Sequence, residues 1–407
     1  MARCQKLASF SEDARGTRRT FLSPPMRACH AEIQSWLRSA GAAVRLDAAG
    51  NLRGLYAASE EPAPKLVLGS HLDTVPNAGA YDGILGVVLA VSLIEALAGR
   101  RLPFGIEVVG FSEEEGVRFG APFLGSRALV GKLDEPLLSL RDAQGISVRE
   151  AIEDFGLNPV EIPQAALKND AVGYLEFHIE QGPVLEELGR PLGVVEAIVG
   201  QTRLEFTFTG RANHAGTTPM RLRRDALAAA AEWILAVERT ALGDPELVAT
   251  VGHLEARPGA ANVIAGEAHA SLDVRHRSDE KRARIAEALR REAEEIATRR
   301  GVSVGHKTLL NQHAVAMDSF LTDQIDEAMR KIGCPPHRML SGAGHDAMIL
   351  AEKVPAAMIF LRSPGGISHH PAESVQIEDV AKAITCGLQL LEQLASSPQF
   401  LKRTCRA

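Results

Sequence analysis

The strongest constraint in this sequence is an alternation of short apolar runs with an apolar helix, each run ending in polar residues. KLVLGSH (65–71) has the length of a strand and breaks into the loop LDTVPNAGAYDG; ILGVVLAVSLIEALAG (84–99) is long enough to be a helix. FGIEVVGFSEEEG (104–116) repeats the strand, this time with an acidic end. Strands that are apolar on both faces and joined through a helix imply a mostly parallel sheet with covered faces. Ligands of such sheets bind beyond the carboxyl ends of the strands, so His71, Asp82 and the Glu113, Glu114, Glu115 run are expected to gather there.

Upstream of this core the start of the chain reads as irregular. ACHAEIQSWLRSAG then reads as an amphipathic helix ended by Gly41, and AAVRLDAAGNLRGLYA as two short strands around Gly50-Asn51. From about residue 200 the rhythm changes to strand, helix, two strands, charged helix and strand, the β-α-β-β-α-β order of a ferredoxin-like unit. An apolar helix-strand pattern resumes in HDAMILAEK and AAMIFLRS. We therefore expect an α/β domain made of 1–199 and 316–407, carrying an inserted domain at 200–315. Its 407 residues suit two or three domains.

A formal charge of -6, without an extended Lys/Arg block, argues against nucleic acid or an anionic membrane surface as partner. Five scattered cysteines, Cys4, Cys29, Cys334, Cys386 and Cys405, contain no C-x-x-C pair and suggest neither a disulfide framework nor a thiolate metal site. There is no signal-peptide-like or membrane-spanning apolar run, so a cytoplasmic location is expected. Aromatic residues are 4% of the chain, which favours a site built on charge and metal over one built on stacking.

Among the 13 histidines, several fall beside carboxylates just after expected strands or in glycine-rich turns. His71 in GSHLDT, Asp82 in AYDG, Glu114 and Glu115 in SEEEG, His178 in FHIEQG and His369 in GGISHHPAE form a thiol-free His/carboxylate set. Such a set suits Zn, Mn or Co, and a bridging carboxylate suits a pair of ions. Singly, a loop histidine is more often structural and a Glu run more often a solvated helix start. It is their shared position at the carboxyl ends of strands that carries weight.

The segments GSHLDTVPNAGAYDGILG, GFSEEEGVRFGAPFLGS, FHIEQGPVLE, GRANHAGTTPM, PGAANVI, SGAGHDAM and GGISHHPAE resemble the M20-type binuclear metallohydrolases. Within them they resemble the branch of allantoate amidohydrolases (allantoate deiminases) and N-carbamoyl-L-amino acid hydrolases. The resemblance runs in order from about residue 20 to 375. It implies a metal-dependent exopeptidase-like catalytic domain with a mostly parallel sheet, and an inserted α+β lid and dimerisation domain, hence a homodimer. It also implies two divalent ions, with His71 and His178 on one, Glu115 and His369 on the other, and Asp82 between them. The S-H-x-P register favours His369 over His370.

By the same resemblance Glu114 is the general base toward the attacking water, and Asp73 accepts the second N–H of the His71 ring. Glu113 is expected to be a solvated neighbour. His214 would reach across a dimer to the reacting carbonyl oxygen, with a turn-capping histidine as its simpler reading. Asn262 and Arg275 would hold a substrate carboxylate, and Gln181 the ureido group. His345 and Asp346 would line the pocket, or serve as a cap or internal hydrogen-bonding partner. The implied reaction is hydrolysis of a ureido C–N bond, first in allantoate, giving ureidoglycine, carbon dioxide and ammonia in purine-nitrogen recycling. N-carbamoyl-L-amino acids, then ureidoglycolate, are the alternatives. A non-catalytic metal-binding relative would be expected to lack Glu114 or a ligand, and the chain lacks neither.

Overall fold

The computed structural model describes residues 1–403, which leaves Cys405 outside the described residues. The chain divides into two compact units, Met1–Glu196 with the residues from Met317 onward, and Ala197–Ala316. The division falls at 197 rather than at 200 because the strand Leu192–Ile198 runs almost directly into Gly200–Thr209.

In the first unit the sheet runs Ala43–Leu46, Leu52–Tyr56, Gly105–Phe111, Lys65–His71, Ala171–Ile179, Ala356–Leu361, Leu192–Ile198. The four central strands from Gly105–Phe111 to Ala356–Leu361 are parallel, and the flanking pairs are antiparallel. Lys65–His71 and Ala171–Ile179 are buried almost throughout, as their two-sided apolar patterns require. Helix Ile84–Ala96 is buried on nearly every face and packs on these strands. Helices Pro24–Ser39, Ser319–Lys331 and Ile377–Ala395 contribute apolar stripes to the same core.

One departure lies at the start of the chain. Ala2–Ala8 is helical, burying Cys4 and Leu7 one turn apart. Two buried positions in an otherwise polar segment are too few for periodicity to register.

The second unit has an antiparallel sheet in the order Leu254–Arg257, Glu267–His276, Gly200–Thr209, Ser303–Gln312, with Val248–Thr250 also on Glu267–His276. Strict alternation in Glu267–His276 puts Ala268, Ala270, Leu272 and Val274 under helices Ala226–Leu242 and Asp279–Arg300. Trp233 is the centre of that core and donates its indole N–H to the carbonyl of Leu289 at 2.9 Å. Among the described residues no helix is long and apolar enough to cross a membrane.

Candidate metal centre

The site lies at the carboxyl ends of the parallel strands. His71 closes the strand Lys65–His71, and His178 is the penultimate residue of Ala171–Ile179. Each ring binds a main-chain carbonyl through Nδ1: His71 that of Asp73 and His178 that of Ile179, both at 2.9 Å. Those carbonyls fix the Nδ1–H tautomer and leave both Nε2 lone pairs pointing into the site. The two Nε2 atoms are 3.4 Å apart and lie 3.8 Å and 3.3 Å from Oδ1 of Asp82.

On the other side, Nε2 of His369 stands 3.2 Å from Oδ2 of Asp82 and 3.5 Å from Oε1 of Glu115. Asp82 thus turns one oxygen to the His71/His178 pair and the other to His369/Glu115. Ring nitrogens and carboxylate oxygens gathered this closely on one point are the thiol-free donors that divalent cations take, so this donor set fits metal ions. The groups His71, Asp82, His178 and Asp82, Glu115, His369 each offer ligand atoms within 4.8 Å of one another. His370 stays outside: its Nδ1 accepts the N–H of Ala372 at 3.1 Å.

The backbone is shaped around these ligands. Gly83, just after Asp82, has φ +66°, and a Cβ there would fall 2.5 Å from the His71 ring. His369 and Gln181 adopt positive φ of 55° and 60° without being glycine, strain of the kind that gathers at functional sites. The Gln181 amide donates to both oxygens of Asp82 at 3.1 Å, so it sits within the ligand cluster itself.

Burial sets the charge states. Glu114 is 7% exposed and its carboxyl is pushed well above the usual range by burial, with Glu115 and Asp346 adding to the shift against His71. Burial, followed by Asp82, raises Glu115 to about 7. His178 is lowered to about 4, mainly by burial, whereas burial of His71 is outweighed by its carboxylate neighbours. Asp82 is held below its usual range because His369, His178 and His71 outweigh the cost of burying it.

Two expectations need correction. Asp73 does not receive the His71 Nδ1–H on its carboxylate, which is 3.6 Å away; the main-chain carbonyl takes it. The carboxylate is engaged by the backbone N–H groups of Glu114 and Glu115, at 2.9 and 3.0 Å, and so holds the acidic loop under the site. Glu113 is not solvated. It is fully buried, and burial and nearby Asp73 push its carboxyl well above the usual range.

His345 is buried, its ring 4.5 Å from that of His178 and its Nε2 2.9 Å from the hydroxyl of Ser341. Asp346 is fully buried with both carboxylate oxygens lacking a hydrogen-bond partner. In the second unit, His214 is exposed, and its Nδ1 accepts the N–H of Gly216 at 3.0 Å while its carbonyl caps Thr218. Strand pairing of His214 with Val263 brings it beside Asn262, whose carbonyl accepts the N–H of Ala215. The Arg275 fork is not open. Its Nε and Nη2 hold both oxygens of Asp273, two residues away on the same strand face, at 2.9 and 3.0 Å.

Sequence reasoning missed the layer that supports the ligands. Oε1 of Glu373 accepts the N–H groups of Tyr81 and Asp82 at 2.8 and 2.9 Å, fixing the loop that carries Asp82. Glu176 lies beneath His178, bound by Ser70, Tyr174 and the N–H of Ala347. Glu373 falls in GGISHHPAE and Glu176 just before FHIEQG, so the segments carry a signal while these two supporting roles do not.

Residues 67–393 match the family model described as Peptidase family M20/M25/M40. An N-carbamoyl-L-amino acid amidohydrolase of Geobacillus stearothermophilus is 42% identical over 366 residues, 89% of this chain and 90% of that protein. Allantoate deiminase 1 of Glycine max is 37% identical, covering 97% of this chain and 89% of its own length. A crystal structure of an amidase of the hydantoinase/carbamoylase family from Burkholderia multivorans superposes with a TM-score of 0.92 at 32% identity, over 97% of both chains. With its ligand-bearing loops at the ends of a parallel sheet and these relatives matched over nearly their whole length, the chain belongs to the M20/M25/M40 peptidase family of hydrolases.

Proposed function

We propose that this protein is a two-metal amidohydrolase that cleaves a ureido C–N bond, with allantoate as its substrate. The observation that carries the reading is the convergence of four ligand-type side chains, His71, His178, Glu115 and His369, around the two oxygens of Asp82, with Glu114 buried at their edge. His71 and His178 would hold one ion, Glu115 and His369 the other, and Asp82 both. Bound there, Mn, Zn or Co would lower the pKa of water and polarise the ureido carbonyl.

Glu114 takes the proton of the attacking water and returns it to the departing nitrogen, a transfer helped by a carboxyl whose affinity for protons burial has raised. Gln181 orients the ureido group beside Asp82. Asp73 acts through the loop, its carboxylate setting the main chain of Glu114 and Glu115. In this reading the second unit serves as lid and dimerisation domain and contributes His214, Asn262 and Arg275 toward the substrate; Arg275 must then exchange Asp273 for it. A homodimer in a reducing, cytoplasmic compartment, working in purine-nitrogen recycling, completes the proposal. The free thiols of Cys4, Cys29, Cys334 and Cys386 suit such a compartment.

The identity of 42% to the Geobacillus enzyme favours a second reading, removal of the carbamoyl group from N-carbamoyl-L-amino acids. Both reactions use the same centre and differ at the group on the α-carbon. The test is ammonia release by the Mn-loaded protein from allantoate, ureidoglycolate and several N-carbamoyl-L-amino acids in parallel. Turnover of a carbamoyl amino acid in preference to allantoate selects the second reading; no ammonia from any of them overturns both.

A further inference from the structure

A second candidate site lies at the other end of the first unit's sheet. Lys65 and Ala171 begin the strands whose far ends carry His71 and His178, and they line a cavity of about 280 Å³. Seven residues of strand put this end roughly 20 Å from the metal ligands. The cavity is bordered by four cations, Arg45, Arg53, Lys65 and Lys168, against two carboxylates, Glu107 and Asp170. Its remaining walls are mostly aliphatic, with Val44, Leu55 and Leu167 the largest.

The charges are unevenly matched. Lys65 is paired with Asp170 at 2.8 Å. Arg53, 4% exposed, gives its Nε to Glu107 at 2.7 Å and its Nη1 to the carbonyl of Ala165, with the buried carboxylate of Asp47 3.9 Å from Nη1. Arg45 and Arg53 are direct cross-strand partners in the pairing of Ala43–Leu46 with Leu52–Tyr56, so two guanidinium groups share one face of the ladder. Like charges directly opposite each other oppose pairing. Burial and then Arg53 lower the pKa of Arg45, in keeping with that proximity.

We propose that this cavity binds a small organic carboxylate with an aliphatic body, its carboxylate seated between Arg45 and Arg53 with Lys168 at the rim. An anion there relieves the opposed guanidinium pair and takes the bidentate donors that Arg groups offer a carboxylate. Its chain lies on Val44, Leu55 and Leu167. The volume is at the lower end for small-molecule sites and suits a compact metabolite rather than a cofactor. The proposal does not depend on the hydrolase reading.

The test is calorimetric titration of the metal-loaded full chain with hexanoate and, separately, inorganic phosphate, in the wild type and in Arg45→Glu and Arg45→Lys. Arg45 is exposed on an edge strand, so both variants are expected to fold, and removing the opposed charge in Arg45→Glu is expected to raise the ligand-free Tm. Saturable hexanoate binding should weaken at least about tenfold in Arg45→Glu and be largely kept in Arg45→Lys. Equal binding in the wild type and Arg45→Glu would place the carboxylate elsewhere, the metal centre included, and overturn the proposal. So would the absence of saturable binding in the wild type. Phosphate binding as tightly as hexanoate would overturn the role of the aliphatic wall.

Discussion

Glu114 and His30 are buried ionisable side chains held to opposite ends. Glu114→Gln keeps the shape of the side chain and removes its ability to take a proton. We expect kcat to fall about 10²- to 10⁴-fold with the metal content unchanged. Metal analysis beside steady-state kinetics checks this, and near-normal turnover in the variant would remove Glu114 from the reaction. His30 serves stability. It is 2% exposed, packs edge-on against Phe155, and neither ring nitrogen has a hydrogen-bond partner. Burial, then Arg19 and Arg27, lower its pKa to about 3. Because the folded value lies below the unfolded one of about 6.5, the unfolded chain binds the extra proton. The contribution of neutral His30 is therefore intact above about pH 6.5 and is lost as the pH falls toward 3. By pH 5 the loss is about 2 kcal/mol. His30→Leu, similar in volume, should lose less stability than the wild type between pH 7.5 and 5 in urea titrations; identical losses would mean that His30 does not titrate on unfolding.

At the scale of elements, the strand Lys65–His71, the loop after it and the helix Ile84–Ala96 form the working piece, and one carboxylate from a distant turn holds them. Glu373 accepts two N–H groups of that loop from 291 and 292 residues away. Glu373→Ala frees both donors, and we expect metal affinity to fall about 10- to 100-fold, while Glu373→Gln, which still offers an acceptor oxygen, loses less. Competition with a chromogenic chelator measures both; equal affinities in wild type and Glu373→Ala would mean the loop holds its shape unaided. This contact also marks where the sequence ceased to be readable. The strands and helix are legible because burial on all sides writes apolar runs into them, and the ligands because they follow those strands directly. Glu373 and Glu176 are not, since their partners are set by tertiary proximity that no local spacing encodes. Glu113 misleads for a related reason. Three acids in a row look solvated, yet the loop turns the first inward, where the backbone N–H of Arg118 donates to it at 3.3 Å.

At the scale of the molecule, the two units have separate cores, and the candidate ligands all belong to one of them. The larger core is drawn from the first unit, and the one around Trp233 wholly from the second. A metal that binds only the folded state stabilises the unit that holds it, by about 4 kcal/mol when its free concentration is 1,000 times Kd. Removing it should therefore lower the unfolding temperature of the first unit and leave the second close to where it was. The chain's two tryptophans allow the units to be followed separately, because Trp36 packs against the first core and Trp233 lies inside the second. In Trp233→Phe, fluorescence reports the first unit through Trp36, and in Trp36→Phe it reports the second through Trp233. A chelator is expected to shift the Trp36 transition downward by several degrees and the Trp233 transition hardly at all. Equal shifts of the two would mean that the units unfold as a single cooperative body, with the metal stabilising both.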